Sequence, residues 1–281
     1  MQVYSPTQTN EFAFCPQSRA FYKEGWQARI AGKATIASWM GVAMAVGLEA
    51  YYKGEKDLCV QMGMGTWLSQ IEKHREAGGG VEDSDLVTYH NAINRALETF
   101  ENIDPIPAME GWKVRSVEHQ FKEAGDARVD LLVDTPQGLT NVDYKWKNKV
   151  YVPHGGTIAT ARGKALADYD NYWNMLHYQW ALQREAGDQR VNPYYYIALG
   201  ELAPKPRVTL QAFEVTPPQI LKWTNTAMKL WKRMEVDDPN PEGNTTHANK
   251  YGPCKYYNAC FTHFGDRESM KGEYIRVERA K

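Results

Sequence analysis

The sequence predicts an α/β protein with a mixed central β-sheet flanked by helices. Three observations lead there. Candidate elements run in the order helices, three strands, helix, two strands, helix. The texture changes at residue 112, where helical periodicity gives way to alternation of apolar and polar residues. A chain of 281 residues with 43% hydrophobic content can bury one large core. The expectation is a single domain, 1–281, with a helical part (1–110), a sheet core (111–215) and a last helix with a cysteine-bearing tail (216–281).

Residues 33 to 53 read as a buried, Ala-rich helix that Gly54 stops. Residues 65 to 80 look helical and end in "AGGG". Asp83 or Ser84 can cap a helix over about 85–101, which Pro105 and Pro107 close. "WKVRSVEHQF" alternates as a strand, and "ARVDLLVD" with "LTNVDYKWK" forms a hairpin across a Pro-Gln-Gly turn. An irregular loop is expected over 150–163 and a helix over 164–186. "PYYYIAL" and "RVTLQAFEV" supply two more strands, and Pro217 and Pro218 open a helix to about 235.

The formal net charge is −1, so no global field draws the chain to an anionic polymer or a membrane surface, and any basic site must be local. No apolar run approaches a bilayer span, and "MQVYSPTQTNEF" lacks the layout of a secretory signal. The expected location is therefore the cytoplasm. There, four cysteines suit thiols or metal ligands better than disulfides.

The chemistry centres on the hairpin. Asp130 interrupts one apolar run, and Asp143 and Lys145 share a face of the next. Converging buried carboxylates cost several kcal/mol, on the order of magnitude for buried charge, unless a cation compensates them. Oxygen-only ligation suits Mg2+ or Mn2+. Lys145 can neutralise the cluster, orient a water or stabilise charge developing on a phosphate. The competing reading is an ordinary charged hairpin edge.

Asp130, followed thirteen residues later by Asp143-Tyr144-Lys145, resembles the motif of the PD-(D/E)XK nucleases. That resemblance implies a restriction-endonuclease-like core. It also implies that Asp130 and Asp143 hold the divalent metal, that Lys145 serves catalysis, and that Glu118 stands where an upstream acid is often seen. A metal-dependent DNA nuclease is the implied activity.

The cysteines add a second resemblance. Cys15 lies in "FAFCPQSRAFY", and Cys254 and Cys260 lie in "YGPCKYYNACF". A Cys-Pro in a polar segment does not read as core, and thiolates close in sequence favour soft metals or iron–sulfur clusters. The frame resembles the RecB-like and phage recombination exonucleases, in which one N-terminal and three C-terminal cysteines hold a 4Fe–4S cluster that joins the chain ends. His247 stands near the position of the second ligand, so the set would be Cys15, His247, Cys254 and Cys260, with zinc as the alternative occupant. Cys59 falls outside the frame and reads as a core thiol. An exonuclease acting in recombination, repair or DNA-end processing is implied, phage-encoded and working beside a recombination or annealing protein.

Besides His247, two further positions depart from the family. Its first helix carries G-x-x-x-H followed by L-E. Here Gly41, Leu48 and Glu49 fit, but Ala45 replaces the metal-binding His. Glu49, one turn on along the same face, either leans in towards the metal or is a surface residue of an amphipathic helix, the second being the simpler reading. Q-x-x-x-Y on the later helix, which lines the DNA cleft in the family, becomes Asn174 and Tyr178. These departures motivate a second reading, a non-catalytic DNA-end-binding or regulatory protein. Lys147 and Lys149 alternate with Lys145 and could follow a phosphate backbone, as could the amides of "HGGT" at 154–157. Tyr144 and Trp146 either stack on a base or pack.

Overall fold

The computed structural model describes residues 2–81, 86–125, 127–147, 171–235, 248–249, 252–253, 256 and 267–277. Two short helices open the chain, α1 (Pro6–Phe14) and α2 (Pro16–Lys23). Each has Pro as its first helical residue, where the missing N–H would have had no intrahelical partner. Three helices follow: α3 (Lys33–Tyr52), α4 (Cys59–Glu76) and α5 (Leu86–Glu98), with a short α6 (Phe100–Ile103) beyond Thr99. Short strands β1 (Trp26–Ala28), β2 (Ile30–Ala31) and β3 (Gly80–Val81) lie between them.

The main sheet has five strands: β4 (Lys113–Gln120), β5 (Arg128–Thr135), β6 (Gly138–Lys147), β7 (Tyr194–Glu201) and β8 (Arg207–Glu214). They lie in sequential order, with β6–β7 parallel and the other pairs antiparallel. The parallel pair needs a crossover, and α7 (Asn171–Ala186) lies within that connection. Helix α8 (Pro217–Met234) follows β8, opened by a capping box between Thr216 and Gln219. The expected mixed sheet with flanking helices is therefore present.

Alternation along the strands distributes the core to both faces. Leu131, Val133, Val142, Tyr144, Trp146 and Ala198 pack against α3, α4 and α5. Tyr195, Ile197 and Leu199 pack against α7 and α8. Glycine lets α3 and α4 approach closely: a Cβ on Gly63 would meet the Leu97 side chain at 2.4 Å and the Ala43 carbonyl at 3.0 Å. Helix α4 accordingly starts at Cys59, six residues earlier than expected, because its glycines are packing sites and not breaks. No described helix is long and apolar enough to cross a membrane.

The ends of the chain meet. β1 pairs antiparallel with β11 (Tyr274–Arg276). Phe21 and Trp26 share a buried cluster with Tyr256, Met270 and Tyr274. Arg267 of α9 (Arg267–Met270) forms an ion pair with Glu24 at 2.7 Å. At the other side of the N-terminal segment, the Trp231 indole donates to Thr9 Oγ1 at 2.9 Å. Two dipeptides, β9 (Ala248–Asn249) and β10 (Gly252–Pro253), pair with each other.

Several expectations fall on residues outside those described: the caps Asp83 and Ser84, the loop over 150–163 with its "HGGT", the first turns of the 164–186 helix, Lys149, His247, Cys254 and Cys260. Cys59 is buried as expected. Cys15 is also buried, contrary to the reading of its polar surroundings: it is the junction between α1 and α2, which pack against each other.

Candidate active site

The site forms where β5 and β6 part. Their ladder runs from Thr135–Gly138 to Leu131–Val142 and stops there, while β6 continues beside β7 as far as Lys147. Val129 packs with Leu132 against α7, whereas Leu131 packs towards α3, so the regular alternation breaks at Asp130. The side chain of Asp130 takes up a main-chain donor that the ladder no longer uses: Tyr144 N donates to Asp130 Oδ2 at 2.6 Å. A polar residue sits in these apolar runs because the sheet opens at this point and main-chain groups need new partners.

Asp143 is buried, and the Lys145 ammonium forms an ion pair with its carboxylate. Glu118 lies on β4 with φ of 49°, the one positive value among the described non-glycine residues. That conformation costs on the order of 1–3 kcal/mol, and such outliers concentrate at functional sites. The Arg128 guanidinium lies 3.6 Å from the Glu118 carboxylate.

A narrow pocket, with room on the scale of a single water molecule, lies against Glu118 and Asp130. Glu118, Asp130 and Tyr144 line it from the sheet, and Ala45, Glu49 and Tyr52 line it from α3. Glu49 therefore faces the cluster and is not the plain surface residue its sequence position suggests. It also forms an ion pair with Lys53 at 2.5 Å.

Burial holds the Asp130 carboxyl well above the usual carboxylate range; Asp143 pushes it further, against the pull of Lys145 and the Tyr144 N–H. Burial also raises the Glu118 carboxyl, followed by the charge on Glu49. Each of Glu49, Glu118 and Asp143 has a cation within 4 Å. Among the described residues Asp130 has no such ion pair, only the amide of Tyr144. The donor set thus fits a hard divalent cation: buried carboxylate oxygens, a negative balance and an ion-sized space. Among the described residues no three His, Cys, Asp or Glu side chains already stand arranged to hold a metal ion.

Helix α7 brings Tyr178 to the other side of the acids. Its ring stacks on Tyr195 at 6.2 Å. Burial raises its hydroxyl pKa, with further contributions from Asp143, Asp130 and Glu118. Asn174 lies one turn earlier, half-buried. Lys147 is half-buried at the end of β6. Tyr144 and Trp146 are buried in the α3-side core, so of their two expected roles packing is the one present. Sequence reasoning missed the hydroxyl network of Tyr52, Tyr144 and Asp104, because aromatic residues in apolar runs carry no mark of what their hydroxyls reach.

Comparison with known proteins agrees with this geometry. Residues 3–261 match the PD-(D/E)XK nuclease superfamily. Among solved structures, the fold is similar to that of a protein from Eubacterium rectale named "Putative exonuclease", with a TM-score of 0.50 and 14% identity over 91% of this chain and 88% of that one. No curated protein matches the chain. With most of its length matched, the chain belongs to the PD-(D/E)XK nuclease superfamily.

Proposed function

We propose, from membership of this superfamily, that the chain is a Mg2+- or Mn2+-dependent DNA nuclease, an exonuclease that hydrolyses phosphodiester bonds in recombination, repair or end processing. The observation that carries this reading is the meeting of Asp130, Asp143 and Lys145 where β5 and β6 part. Members of the superfamily typically use Mg2+ or Mn2+. Asp130 and Asp143 would hold the ion, with Glu118 beside them. When bound, it supplies Lewis-acid polarisation of the phosphate and a more acidic water. Lys145 then stabilises negative charge on the phosphate and orients the attacking water. The Tyr144 amide keeps Asp130 in place. Tyr178, Asn174, Lys147 and Lys149 would face the DNA, chiefly through its backbone charge.

The test is incubation of the purified chain with linear and circular DNA and Mn2+. Wild type should degrade linear DNA, and Asp143→Ala should not. Equal degradation by both would refute the assignment, as would no degradation by either.

Ala45 supports a second reading, a DNA-end-binding protein with little or no hydrolysis, since the pocket receives no imidazole there. Metal-independent binding to DNA ends without cleavage would favour it.

We further propose that Cys15, His247, Cys254 and Cys260 hold a 4Fe–4S cluster, or zinc, across the chain ends. Supporting it, α2 begins directly after Cys15, and its Phe21 packs on Tyr256 with ring centroids 5.2 Å apart. Residue 256 lies between two of the cysteines, so the tail is held at the helix that Cys15 precedes.

A further inference from the structure

We propose that Asp104 and Tyr52 are positioning residues that fix Tyr144 and, through its main-chain amide, the carboxylate of Asp130; this rests on the nuclease reading above. Tyr144 is the residue between Asp143 and Lys145, and it faces two ways. Its amide donates to Asp130 at 2.6 Å. Its side chain points to the opposite wall of the pocket, where its hydroxyl lies 2.5 Å from that of Tyr52. Both hydroxyls converge on Asp104 Oδ1, Tyr52 at 2.7 Å and Tyr144 at 3.3 Å. The Ile106 amide donates to the same oxygen at 3.0 Å.

The arrangement ties three separate segments together. Tyr52 is the last residue of α3, Asp104 follows α6, and Tyr144 belongs to β6. Aromatic contacts back the hydrogen bonds: the Phe100 ring lies 5.8 Å from Tyr144 and 6.0 Å from Tyr52.

A special anchor is needed at this residue. The β5 ladder has ended at Val142, so on that side the main chain of Tyr144 is held only through the Asp130 carboxylate. A carboxylate that must meet a metal within about 0.5 Å cannot rest on a strand free to shift. Asp104 Oδ1 accepts from the Ile106 amide and from Tyr52, and the 2.5 Å contact joins the Tyr144 hydroxyl to that of Tyr52, so the carboxylate anchors both rings through one connected chain of hydrogen bonds. Misplacement by about 1 Å can cost about 100-fold in rate, and partial loosening less.

The test uses the full chain and Mn2+ alone as the first probe. In titration calorimetry without DNA, Tyr144→Phe should bind Mn2+ about 5-fold more weakly than wild type, because Asp130 loses its fixed direction. On linear DNA it should lower kcat about 10-fold with KM for DNA unchanged, since no DNA contact is removed. Tyr52→Phe should fall between, because Tyr144 keeps its bond to Asp104. Asp104→Asn, which retains an acceptor oxygen, should largely preserve function. If Tyr144→Phe fails to fold, Tyr52→Phe and Asp104→Ala carry the same readouts. Variants that are folded and bind Mn2+ as wild type does would overturn the inference. Wild type that binds Mn2+ but leaves DNA intact would remove the nuclease reading alone, and the calorimetric comparison would still decide the positioning role. Wild type that binds no Mn2+ would overturn both.

Discussion

Replacing Asp130 with Asn should make the metal-free protein more stable while removing its function. Burial and Asp143 raise the Asp130 pKa above its unfolded value of about 3.9. The folded state therefore binds this proton more tightly than the unfolded chain. The stability it contributes is greatest below the unfolded pKa and declines as pH rises through the folded one. At neutral pH the wild type carries a penalty for burying this carboxyl, whose nearest donor is one amide. Asn is isosteric, still accepts from Tyr144, and brings an NH2 that can donate to Asp143. Removing an incompletely compensated buried charge in this way is worth about 1–3 kcal/mol. For a chain of this size that is a rise of about 2–6 °C in melting temperature. Thermal unfolding in EDTA at pH 7.5 measures it, and the gap should narrow as pH falls towards 4. Adding Mn2+ should reverse the order. Wild type gains about 2.7 kcal/mol at a hundred times its Kd, and the variant, lacking the charged ligand, gains far less. A variant no more stable than wild type in EDTA, and stabilised equally by Mn2+, would refute the reasoning.

Two other outcomes are expected. His177 is buried among Trp180, Trp223 and Trp231, and burial lowers its pKa to about 4. A histidine that the fold keeps neutral contributes stability that is full above its unfolded pKa of about 6.5 and is lost as pH falls through that value towards 4. The loss amounts to about 3 kcal/mol, and urea unfolding should show His177→Phe to have a shallower decline across that window. Anaerobically purified protein should contain iron and absorb in the visible range, and Cys254→Ser should lose both. Colourless wild type holding zinc would identify the alternative occupant, and wild type holding neither would refute the cluster.

The sheet was legible because strands alternate and helices do not, and that contrast survives in a single sequence. The order of β4 to β8 and the long helices α3, α7 and α8 follow from it. The two N-terminal helices were not legible: they are short, and they are held by Trp231 and the C-terminal segment, partners more than 200 residues away. The hairpin acids were visible as polar intrusions in apolar runs. Their cause was not, because the end of the β5–β6 ladder depends on where two strands diverge and not on their composition. Glu49 was misread for a related reason. An Ala-rich helix such as α3 has no strongly polar face, so its sequence does not say which Glu turns inward.

The charge balance at the pocket separates the two functional readings. Among the described residues, Glu49, Glu118, Asp130 and Asp143 set four carboxyl groups against three cations, Lys53, Arg128 and Lys145. A phosphate approaching that balance meets no excess of positive charge, and burial reduces the screening that water would provide. A protein that only holds DNA ends has no use for such a site, because phosphate affinity comes from cations. A site that admits a divalent cation changes sign when occupied, and attraction for the phosphate and a water acidic enough to attack it then arise together. The loss of an imidazole at Ala45 removes a neutral donor and leaves this balance as it is. The substitution therefore bears on how tightly an ion is held, while the excess of carboxylates, centred on Asp130, which has no ion pair among the described residues, argues for hydrolysis over simple end binding.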